Sequence, residues 1–363
     1  MLRVIPRDYC RMDFCCKGED KGPWASHAEE LGAEVYHCPF RPSHVGFMRG
    51  LERILKTGHY DVVHNHLGVY SGFPVWISHK AGVPVISTFH ATRIDDPHNQ
   101  WLRLPMLTHL RRLYGRMSIG YAVSNSELVT GVSRGVLESM VPDSNKIRGK
   151  CRVLYLGVEV PPAPTVEEKA NFRKALELSP QAPVVLHVGR FMEQKNHVGI
   201  IEIFGRVLQT FPEAKLLLVG DGILKESIQG RVAERKLEAS VLFLGHRNDV
   251  ADIMRSCDVF LLPSFYEGFP VVALEANAAS LPVVGSRIPG LSEAVEDGRT
   301  ALLHPVTDIP GMAASVSKLL GDPEYARMLG SAGRMRIQGN FTAQAAATRL
   351  MELYAEFRRE AQA

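Results

Sequence analysis

Two cations, Arg190 and Lys195, lie five residues apart in the segment GRFMEQKNH, residues 189–197. The apolar run before them, residues 183–189, is typical of a buried strand, so both cations fall in the loop that leads to the next helix. Open α/β sheets bind ligands at the carboxyl ends of their strands, and a helix that begins there favours anions. The pair therefore suits a diphosphate, although two ordinary surface cations would give the same pattern.

Two carboxylates, Glu267 and Glu275, lie eight residues apart in SFYEGFPVVALEANAASLP, residues 264–282. We expect Glu267 in the loop after the apolar run 259–263, and Glu275 in a helix whose first position is Pro270. Gly268 between them allows close approach of a ligand to the backbone. Two such carboxylates could bind hydroxyls on two rings of one ligand, or they could be two solvated acids near a helix start.

Histidines mark expected strand ends in the first half of the chain. His64 and His66 lie in DVVHNHLG, and His90 lies in STFHATR, three residues before Arg93. A histidine pair spaced by one residue on a strand points both rings the same way, but no third metal ligand lies nearby in sequence. The pattern therefore favours packed or site-lining histidines over a metal site, and no Asp-x-Asp sequence occurs in the chain.

The elements that must position these residues alternate between short apolar runs and helix-period segments. Predicted strands in the first half are residues 11–16, 33–37, 61–66, 84–90, 120–123 and 152–156. Those in the second half are residues 183–189, 215–220, 241–245, 259–263, 282–285 and 301–304. Continuous apolar strands that alternate with helices predict parallel sheets covered on both faces, and so an α/β fold.

A proline-rich connection divides this pattern into two domains. Residues 158–164 read VEVPPAP, in which three prolines favour an extended linker. We predict a first doubly wound domain over residues 1–157 and a second over residues 158–341. Residues 342–363 form one amphipathic helix that we expect to dock back toward the first domain.

Composition excludes several classes of protein. Of the 363 residues, 45% are hydrophobic and 22% are charged, which is typical of folded domains. No apolar run approaches the roughly 20 residues of a membrane span, and the amino terminus has no signal-like apolar core, so we expect a cytoplasmic protein. The net charge of +3 does not indicate a nucleic-acid partner, and the six cysteines lack the spacing of a zinc site.

The cationic segment and the two-glutamate segment together resemble the retaining glycosyltransferases of family 4, the group 1 glycosyltransferases, which have the GT-B fold. The resemblance extends over about residues 60–345. It implies two Rossmann-like domains that face each other across a cleft. It also implies an enzyme that moves a sugar from a nucleotide-diphosphate sugar to a glycan or lipid-linked acceptor, in cell-surface polysaccharide or glycoconjugate synthesis.

The resemblance also implies roles for particular residues. Arg190 and Lys195 would hold the donor diphosphate, Glu267 the hydroxyls of the donor sugar, and Glu275 the ribose. His90 would face the donor sugar across the cleft, and we count it with Arg190, Lys195 and Glu267 as a catalytic candidate. The remaining donor-side candidates are Gly245, Gly268, Phe269, Pro270, Pro289 and Gly290. The acceptor-side candidates are His64, His66 and Arg93.

We expect a hexosyltransferase-type reaction with retention and with no cofactor or metal, because cationic side chains would stabilise the departing diphosphate. Two alternatives remain open on the sequence alone. One is a GT-B nucleotide-sugar epimerase, and the other is a non-catalytic nucleotide-sugar-binding or scaffold protein.

Residues 101–117, WLRLPMLTHLRRLYGRM, combine apolar and basic side chains at helical spacing. Such a stretch can lie on an anionic membrane surface, which would make the protein peripheral on the inner face of the cytoplasmic membrane. It can equally pack its apolar side on a protein core.

The first predicted strand, residues 11–16, corresponds to the second strand of the family that the chain resembles. Relatives open with a strand and a glycine-rich loop, whereas residues 1–9, MLRVIPRDY, look like the end of a helix. We therefore expect an open seam in the first sheet. Either some other segment fills this seam, or the chain is an amino-terminal fragment. We expect the second: upstream in-frame codons would encode a strand and a Gly-Gly loop, without which the chain would be poorly soluble or weakly active.

Overall fold

The computed structural model describes residues 2–40, 44–93, 105–141, 149–163 and 165–357, without the side chains of residues 105–108. The chain divides into unit 1, which is Met1–Tyr155 with Ala343–Ala363, and unit 2, which is Leu156–Thr342. Within the described ranges, no helix has the length and apolar character that would let it cross a membrane.

The described residues form twelve strands. In unit 1 they are β1 (Phe14–Cys16), β2 (Val35–His37), β3 (Val63–Asn65), β4 (Val85–Phe89), β5 (Leu128–Gly131) and β6 (Cys151–Val153). In unit 2 they are β7 (Val184–Val188), β8 (Lys215–Val219), β9 (Val241–Gly245), β10 (Val259–Leu262), β11 (Val283–Ser286) and β12 (Ala301–His304).

Fourteen described helices accompany the strands. The first seven are α1 (Ala25–Glu30), α2 (His44–Gly58), α3 (Gly72–Lys80), α4 (Pro105–Asn125), α5 (Arg134–Met140), α6 (Val166–Ala175) and α7 (His197–Val207). The others are α8 (Lys225–Glu234), α9 (Val250–Ser256), α10 (Val271–Ala278), α11 (Pro289–Ala294), α12 (Ile309–Gly321), α13 (Pro323–Asn340) and α14 (Ala343–Ala355).

Unit 2 is a doubly wound parallel sheet. Its six strands follow the order β9-β8-β7-β10-β11-β12, and every pair is parallel. The strand order reverses between β7 and β10, which is where such sheets bind ligands. Apolar side chains of β7, β8 and β10 are fully buried against α7 and α12, in agreement with the continuous apolar runs in the sequence.

The described strands of unit 1 form two parallel sheets in place of one. β1 pairs with β2, and β3, β4, β5 and β6 form a four-stranded sheet in that order. α14 belongs to this unit, where its buried Ala347 and Leu350 pack against Ile5. Among the described strands, β1 and β3 do not pair with each other.

One predicted strand, residues 120–123, is wrong. These residues form the last turns of the 21-residue helix α4, and the strand in this region is β5. Ala122 and Val123 are buried, and a short buried apolar run has the same appearance in a helix and in a strand. The other eleven predicted strands each overlap an observed one.

Candidate active site

Lys195 and Glu267 meet at the point where the strand order of unit 2 reverses. β7 and β10 pair directly there, and the loops that follow them carry Lys195 and Glu267. The Lys195 Nζ donates to the Glu267 Oε1 at 2.6 Å, and the two side chains are only 15% and 7% exposed. Two residues that the sequence placed in separate loops therefore form one largely buried ion pair.

The loop that carries Lys195 is fixed by Asn196. This residue has a left-handed backbone conformation with φ 52°, which asparagine tolerates better than most residues. Its Oδ1 accepts from the Gly199 N–H at 3.0 Å and so caps α7, while its Nδ2 donates to the Pro263 carbonyl at 3.1 Å. One side chain thus ties the Lys195 loop both to the helix and to the end of β10.

Gly189 leaves room for the lysine stem. A Cβ on Gly189 would lie 3.3 Å from the Cγ and Cδ of Lys195 and 2.8 Å from the Nε2 of His187. Gly220, which follows β8, approaches the same loop from the other side, since its own Cβ would lie 2.2 Å from the Gly189 carbonyl oxygen. The φ of Gly220 is +133°, so any other residue would be strained there as well.

Gln194 is a site residue that the sequence did not single out. Its Nε2 donates to the Tyr266 carbonyl at 2.9 Å and to the Glu267 Oε2 at 3.2 Å. Its own carbonyl accepts from the Phe265 N–H at 2.9 Å. Gln194 and Lys195 together occupy both oxygens of the Glu267 carboxylate, and only adjacency to Lys195 could have suggested this role.

The backbone beside Glu267 packs against the start of α11. A Cβ on Gly290 would lie 2.4 Å from the Glu267 carbonyl oxygen and 2.5 Å from that of Gly268. Pro289 is the first residue of that helix, a position that suits proline because no helical partner is needed for its nitrogen. The predicted segment around Pro289 and Gly290 is therefore brought to the Glu267 loop.

Glu275 lies inside α10, as predicted, and its side chain is exposed. Partial burial of the carboxyl raises the pKa of Glu275 above its ordinary value. Pro270, predicted at the first helical position, instead directly precedes the helix, because its ψ of 94° is extended. The ring of Phe269 is buried, with its centroid 5.8 Å from that of Phe341, so the ring supports the loop from the core side.

Two further donor-side candidates lie at the same edge of the sheet. Gly245 ends β9 with φ 64°, and its carbonyl accepts from the Gly220 N–H at 2.8 Å. Arg190 is exposed, and its guanidinium forms no hydrogen bond or ion pair with any residue that the structure describes. Its charge is therefore not neutralised by a described carboxylate.

Two neutral histidines lie beneath the Lys195 loop. The His187 Nδ1 donates to the Leu261 carbonyl at 2.8 Å, and the His197 ring stacks on Phe191 with centroids 4.1 Å apart. Burial, and then the charge of Lys195, lower the pKa of His197 to about 4. Burial also lowers the pKa of His187. Near neutral pH, neither ring adds positive charge to that of Lys195 and Arg190.

The predicted histidines of unit 1 form a cluster at the ends of β3 and β4. The His66 Nδ1 and the His90 Nε2 are 2.9 Å apart, so one ring donates to the other. The rings of His64 and His66 have centroids 4.1 Å apart, as expected for side chains on one face of a strand. Arg93 is exposed three residues beyond His90.

Both ring nitrogens of His64 are already engaged. Its Nδ1 lies 2.7 Å from the Tyr354 hydroxyl and its Nε2 lies 2.5 Å from the Thr88 hydroxyl. Burial, and then the charge of His90, lower the pKa of His66 to about 4, and burial lowers the pKa of His90 as well. Across the parts of the chain that the structure describes, no group of three or more His, Cys, Asp or Glu is arranged to hold a metal ion.

Comparison with known proteins identifies the family. Residues 168–336 match the model of the glycosyl transferases group 1, and residues 5–157 match that of the glycosyl transferase 4-like domain, so the two models together span most of the chain. The putative glycosyltransferase EpsF of Bacillus subtilis is 27% identical over 85% of this chain and 80% of its own length.

Another relative, the UDP-Gal:alpha-D-GlcNAc-diphosphoundecaprenol alpha-1,3-galactosyltransferase of Escherichia coli, is 23% identical over 97% of this chain and 91% of its own length. Among solved structures, Anabaena HepE in complex with UDP and glucose has a TM-score of 0.79 at 18% identity and covers 94% of this chain and 98% of its own. That likeness shows the fold. The chain therefore belongs to the group 1 glycosyltransferases and has the GT-B fold.

Proposed function

We propose that this glycosyltransferase transfers a hexose from a nucleotide-diphosphate sugar with retention of configuration and without a metal ion. The observation that supports this proposal most directly is the Lys195–Glu267 pair at the strand-order reversal of unit 2. It brings a cation suited to a diphosphate and a carboxylate suited to sugar hydroxyls within hydrogen-bonding distance of each other.

In this proposal the bond between the anomeric carbon and the diphosphate oxygen breaks, and its electron pair leaves with the diphosphate. Lys195 and Arg190 stabilise the negative charge that develops there, which is the task a metal ion performs in other transferases. The acceptor oxygen bonds to the anomeric carbon on the face that the diphosphate leaves, and the acceptor proton passes to a departing phosphate oxygen. No side-chain base is required.

Glu267 and Glu275 orient the donor. Glu267 accepts hydrogen bonds from the hydroxyls of the sugar, and Glu275 accepts them from the ribose, while Gly245 lines the pocket of the base. The Escherichia coli relative is named for a UDP-sugar, and HepE binds UDP. A UDP-sugar is therefore the first donor to test.

On the side of the acceptor, we propose a glycan or a lipid-linked glycan. The Escherichia coli relative is named for a diphosphoundecaprenol-linked acceptor. His66, His90 and Arg93 are the unit 1 residues that we assign to acceptor and sugar contacts. With their lowered pKa values, His66 and His90 act as neutral hydrogen-bonding groups.

We also propose that α4 binds the surface of an anionic membrane. Leu110, Leu113 and Met117 lie three and four residues apart on this helix, so they share one side of it, and they are 56%, 56% and 66% exposed. Arg112 and Arg116 adjoin this stripe, and residues 105–125 contain no Asp or Glu. An exposed apolar stripe with positive charge beside it suits anionic lipid. Trp101, which belongs to the same predicted segment, lies outside the described residues.

Co-sedimentation with vesicles of phosphatidylglycerol tests the membrane proposal. We expect the chain to pellet with these vesicles and not with vesicles of neutral phosphatidylcholine. The double variant Leu113→Glu/Met117→Glu should no longer bind the anionic vesicles. The matched control is Val166→Glu, which adds a charge at an exposed apolar position of unit 2. Equal pelleting of the double variant and of the control would contradict the proposal.

Acceptor-dependent release of UDP tests the catalytic proposal. We expect free UDP to appear from a UDP-sugar only when an acceptor glycan or glycolipid is present, together with a glycoside of retained configuration. Conversion of the UDP-sugar to its epimer would favour the epimerase. Binding of UDP with no turnover across donors and acceptors would favour a binding protein.

A further inference from the structure

Lys17 lies against two aromatic rings at the carboxyl edge of unit 1. It directly follows β1, and its Nζ lies 4.8 Å from the centroid of the Tyr70 ring and 5.3 Å from that of the Phe40 ring. Phe40 follows β2, and Tyr70 ends the short turn Gly68–Tyr70 that follows β3, so the ends of three strands contribute to one place. The negative face of an aromatic ring attracts an ammonium, so the two rings hold that of Lys17 in position.

The loop that carries Lys17 continues the pairing of β1 with β2. The Cys38 N–H donates to the Cys16 carbonyl at 2.8 Å, and the Phe40 N–H donates to the Lys17 carbonyl at 3.2 Å. The Phe40 ring packs on the buried ring of Phe47 in α2, with centroids 4.4 Å apart. Backbone pairing and ring packing thus fix both the lysine and one of its two rings.

The Lys17 ammonium has a charge that no described carboxylate neutralises. Its side chain is half-buried, and this burial lowers the pKa of Lys17, with no carboxylate of the described residues close enough to raise it. Aromatic rings attract a cation but leave its net charge in place, whereas a carboxylate cancels it. Lys80 of the same unit shows the contrast, because its Nζ lies 5.9 Å from the Trp76 ring and also 3.2 Å from a Glu52 oxygen. The charge of Lys17 is therefore suited to an anion from outside the chain.

The aromatic contacts continue from Lys17 to α4. The rings of Tyr70 and Tyr114 have centroids 6.2 Å apart, and Tyr114 belongs to α4. Tyr114 lies four residues after Leu110 and three before Met117, so it borders the exposed apolar stripe of this helix. A single ring, that of Tyr70, therefore connects the Lys17 ammonium to the helix that we propose to bind a membrane.

We propose that Lys17 binds the diphosphate of a lipid-linked acceptor. This inference rests on the proposed function, in which the acceptor is a glycan or a lipid-linked glycan, and it names the group through which unit 1 recognises that acceptor. A diphosphate that joins a glycan to a lipid lies at the depth of the lipid headgroups, next to a helix bound at the membrane surface. It offers several oxygens to the N–H groups of the ammonium, and its charge offsets the cost of burying that ammonium. A neutral glycan would not offset this cost.

The proposed contact also gives the acceptor a direction. His66 directly follows β3, and Tyr70 comes four residues later, so the Lys17 ammonium and the histidine cluster lie at one edge of unit 1. With the diphosphate at Lys17, the glycan extends along this edge toward His66 and His90, and the lipid extends toward α4. The charge of Lys17 thus selects acceptors that carry a phosphate over glycans that do not.

Calorimetric titration with farnesyl diphosphate tests this inference without any transferase turnover. The probe joins a diphosphate to a short isoprenoid chain, and saturating UDP keeps it out of the donor site. We expect Lys17→Met, which keeps a side chain of similar length but removes its charge, to weaken binding of the probe by about tenfold or more. Lys17→Arg, which keeps the charge against the rings, should bind the probe within about threefold of the unaltered protein.

The matched control is Lys80→Met, which removes another lysine of unit 1 that contacts an aromatic ring and should leave binding of the probe unchanged. Equal affinities of the unaltered protein and of Lys17→Met would overturn the inference, as would equal weakening by Lys17→Met and Lys17→Arg. Farnesol that binds as tightly as farnesyl diphosphate would assign the site to the lipid chain alone. Inorganic diphosphate that binds as tightly would assign it to a free anion, and either result would also overturn the inference.

Titration of the same samples with UDP separates this test from that of the donor site. We expect UDP to bind the unaltered protein and Lys17→Met with equal affinity, because Lys17 belongs to unit 1 and the proposed donor site to unit 2. Samples that bind UDP but not farnesyl diphosphate would overturn the assignment of Lys17 alone. Samples that do not bind UDP would contradict the proposed function itself.

Discussion

The ammonium of Lys195 and the carboxylate of Glu267 form an ion pair at 2.6 Å across 72 residues of sequence. In the proposed mechanism Lys195 binds the diphosphate and Glu267 binds the sugar, so this pair joins the residues on the two sides of the bond that breaks. The Lys195 ammonium must then bind a donor phosphate while it is already paired with the buried Glu267 carboxylate. The pair orients both side chains before the donor arrives.

Replacing one partner of this pair should cost both activity and stability. We expect Lys195→Met to reduce transfer about 100-fold or more, because the stabilisation of the departing charge is lost. It should also lower Tm, since Glu267 would remain buried without its counter-charge. Adding Glu267→Gln should restore Tm but not activity. Kinetics and thermal unfolding of the four proteins in this cycle measure both effects, and a fully active, correctly folded Lys195→Met would remove Lys195 from the site.

Gln194 should act as a positioning residue for Glu267. We expect Gln194→Met to lower kcat/KM about tenfold, which corresponds to the loss of a hydrogen bond to a charged group worth about 1.4 kcal/mol. Gln194→Glu, which places a second carboxylate beside Glu267, should lower it further. The matched control is Gln209→Met at an exposed position of unit 2. Equal kinetics for Gln194→Met and the control would show that Glu267 does not depend on Gln194.

His90 should contribute as a neutral ring. Burial lowers its pKa below the ordinary histidine value, so the neutral ring predominates at pH 6.5. We expect His90→Ala to reduce transfer about 100-fold, with His79→Ala on α3 as the surface control. We also expect the rate of the unaltered protein to show no inflection at pH 6.5. A rate that halves near pH 6.5 in the unaltered protein, but not in a His90 variant, would contradict this role.

His197 should make the stability of unit 2 decrease in acid. Its folded pKa of about 4 lies below the ordinary value of 6.5, so between these values the unfolded chain binds a proton that the folded chain does not. The stability that results from its neutral form is complete above pH 6.5 and falls as the pH drops toward 4, by roughly 3 kcal/mol in total.

We therefore expect His197→Phe to lose less stability than the unaltered protein between pH 7 and pH 4, because the new ring can stack on Phe191 without titrating. Denaturant unfolding at the two pH values measures the difference. Parallel losses in both proteins would show that His197 is protonated in the folded state.

The sequence predicted the parts of the fold that local pattern determines. Continuous apolar runs located eleven strands. The loops after β7 and β10 could be predicted to bind ligand because open α/β sheets bind ligands at the carboxyl ends of their strands. The resemblance assigned roles to Lys195 and Glu267, but it could not show that the two side chains pair directly. That contact depends on the pairing of β7 with β10, which is a property of the whole sheet.

Three features were beyond the sequence for physical reasons. A hydrogen bond from the Phe265 N–H to the Gln194 carbonyl holds Gln194 beside the Glu267 loop. The spacing of residues in the sequence does not reveal this contact. The buried turns of α4 at Ala122 and Val123 have the composition of a strand. The exposure of Leu113 and Met117 could not be predicted either, because an amphipathic helix has the same sequence pattern on a protein core and on a membrane.

Thermal unfolding with UDP, GDP, ADP and the corresponding sugar nucleotides tests the central claim most directly, since it needs no acceptor. At 100 times its dissociation constant, a ligand adds about 2.7 kcal/mol to stability. We predict a clear rise in Tm with one class of nucleotide-diphosphate sugar in the absence of metal ions, and a much smaller rise at the same concentration in Lys195→Ala. No stabilisation by any of these nucleotides, or equal stabilisation of the unaltered protein and of Lys195→Ala, would contradict the proposed donor site.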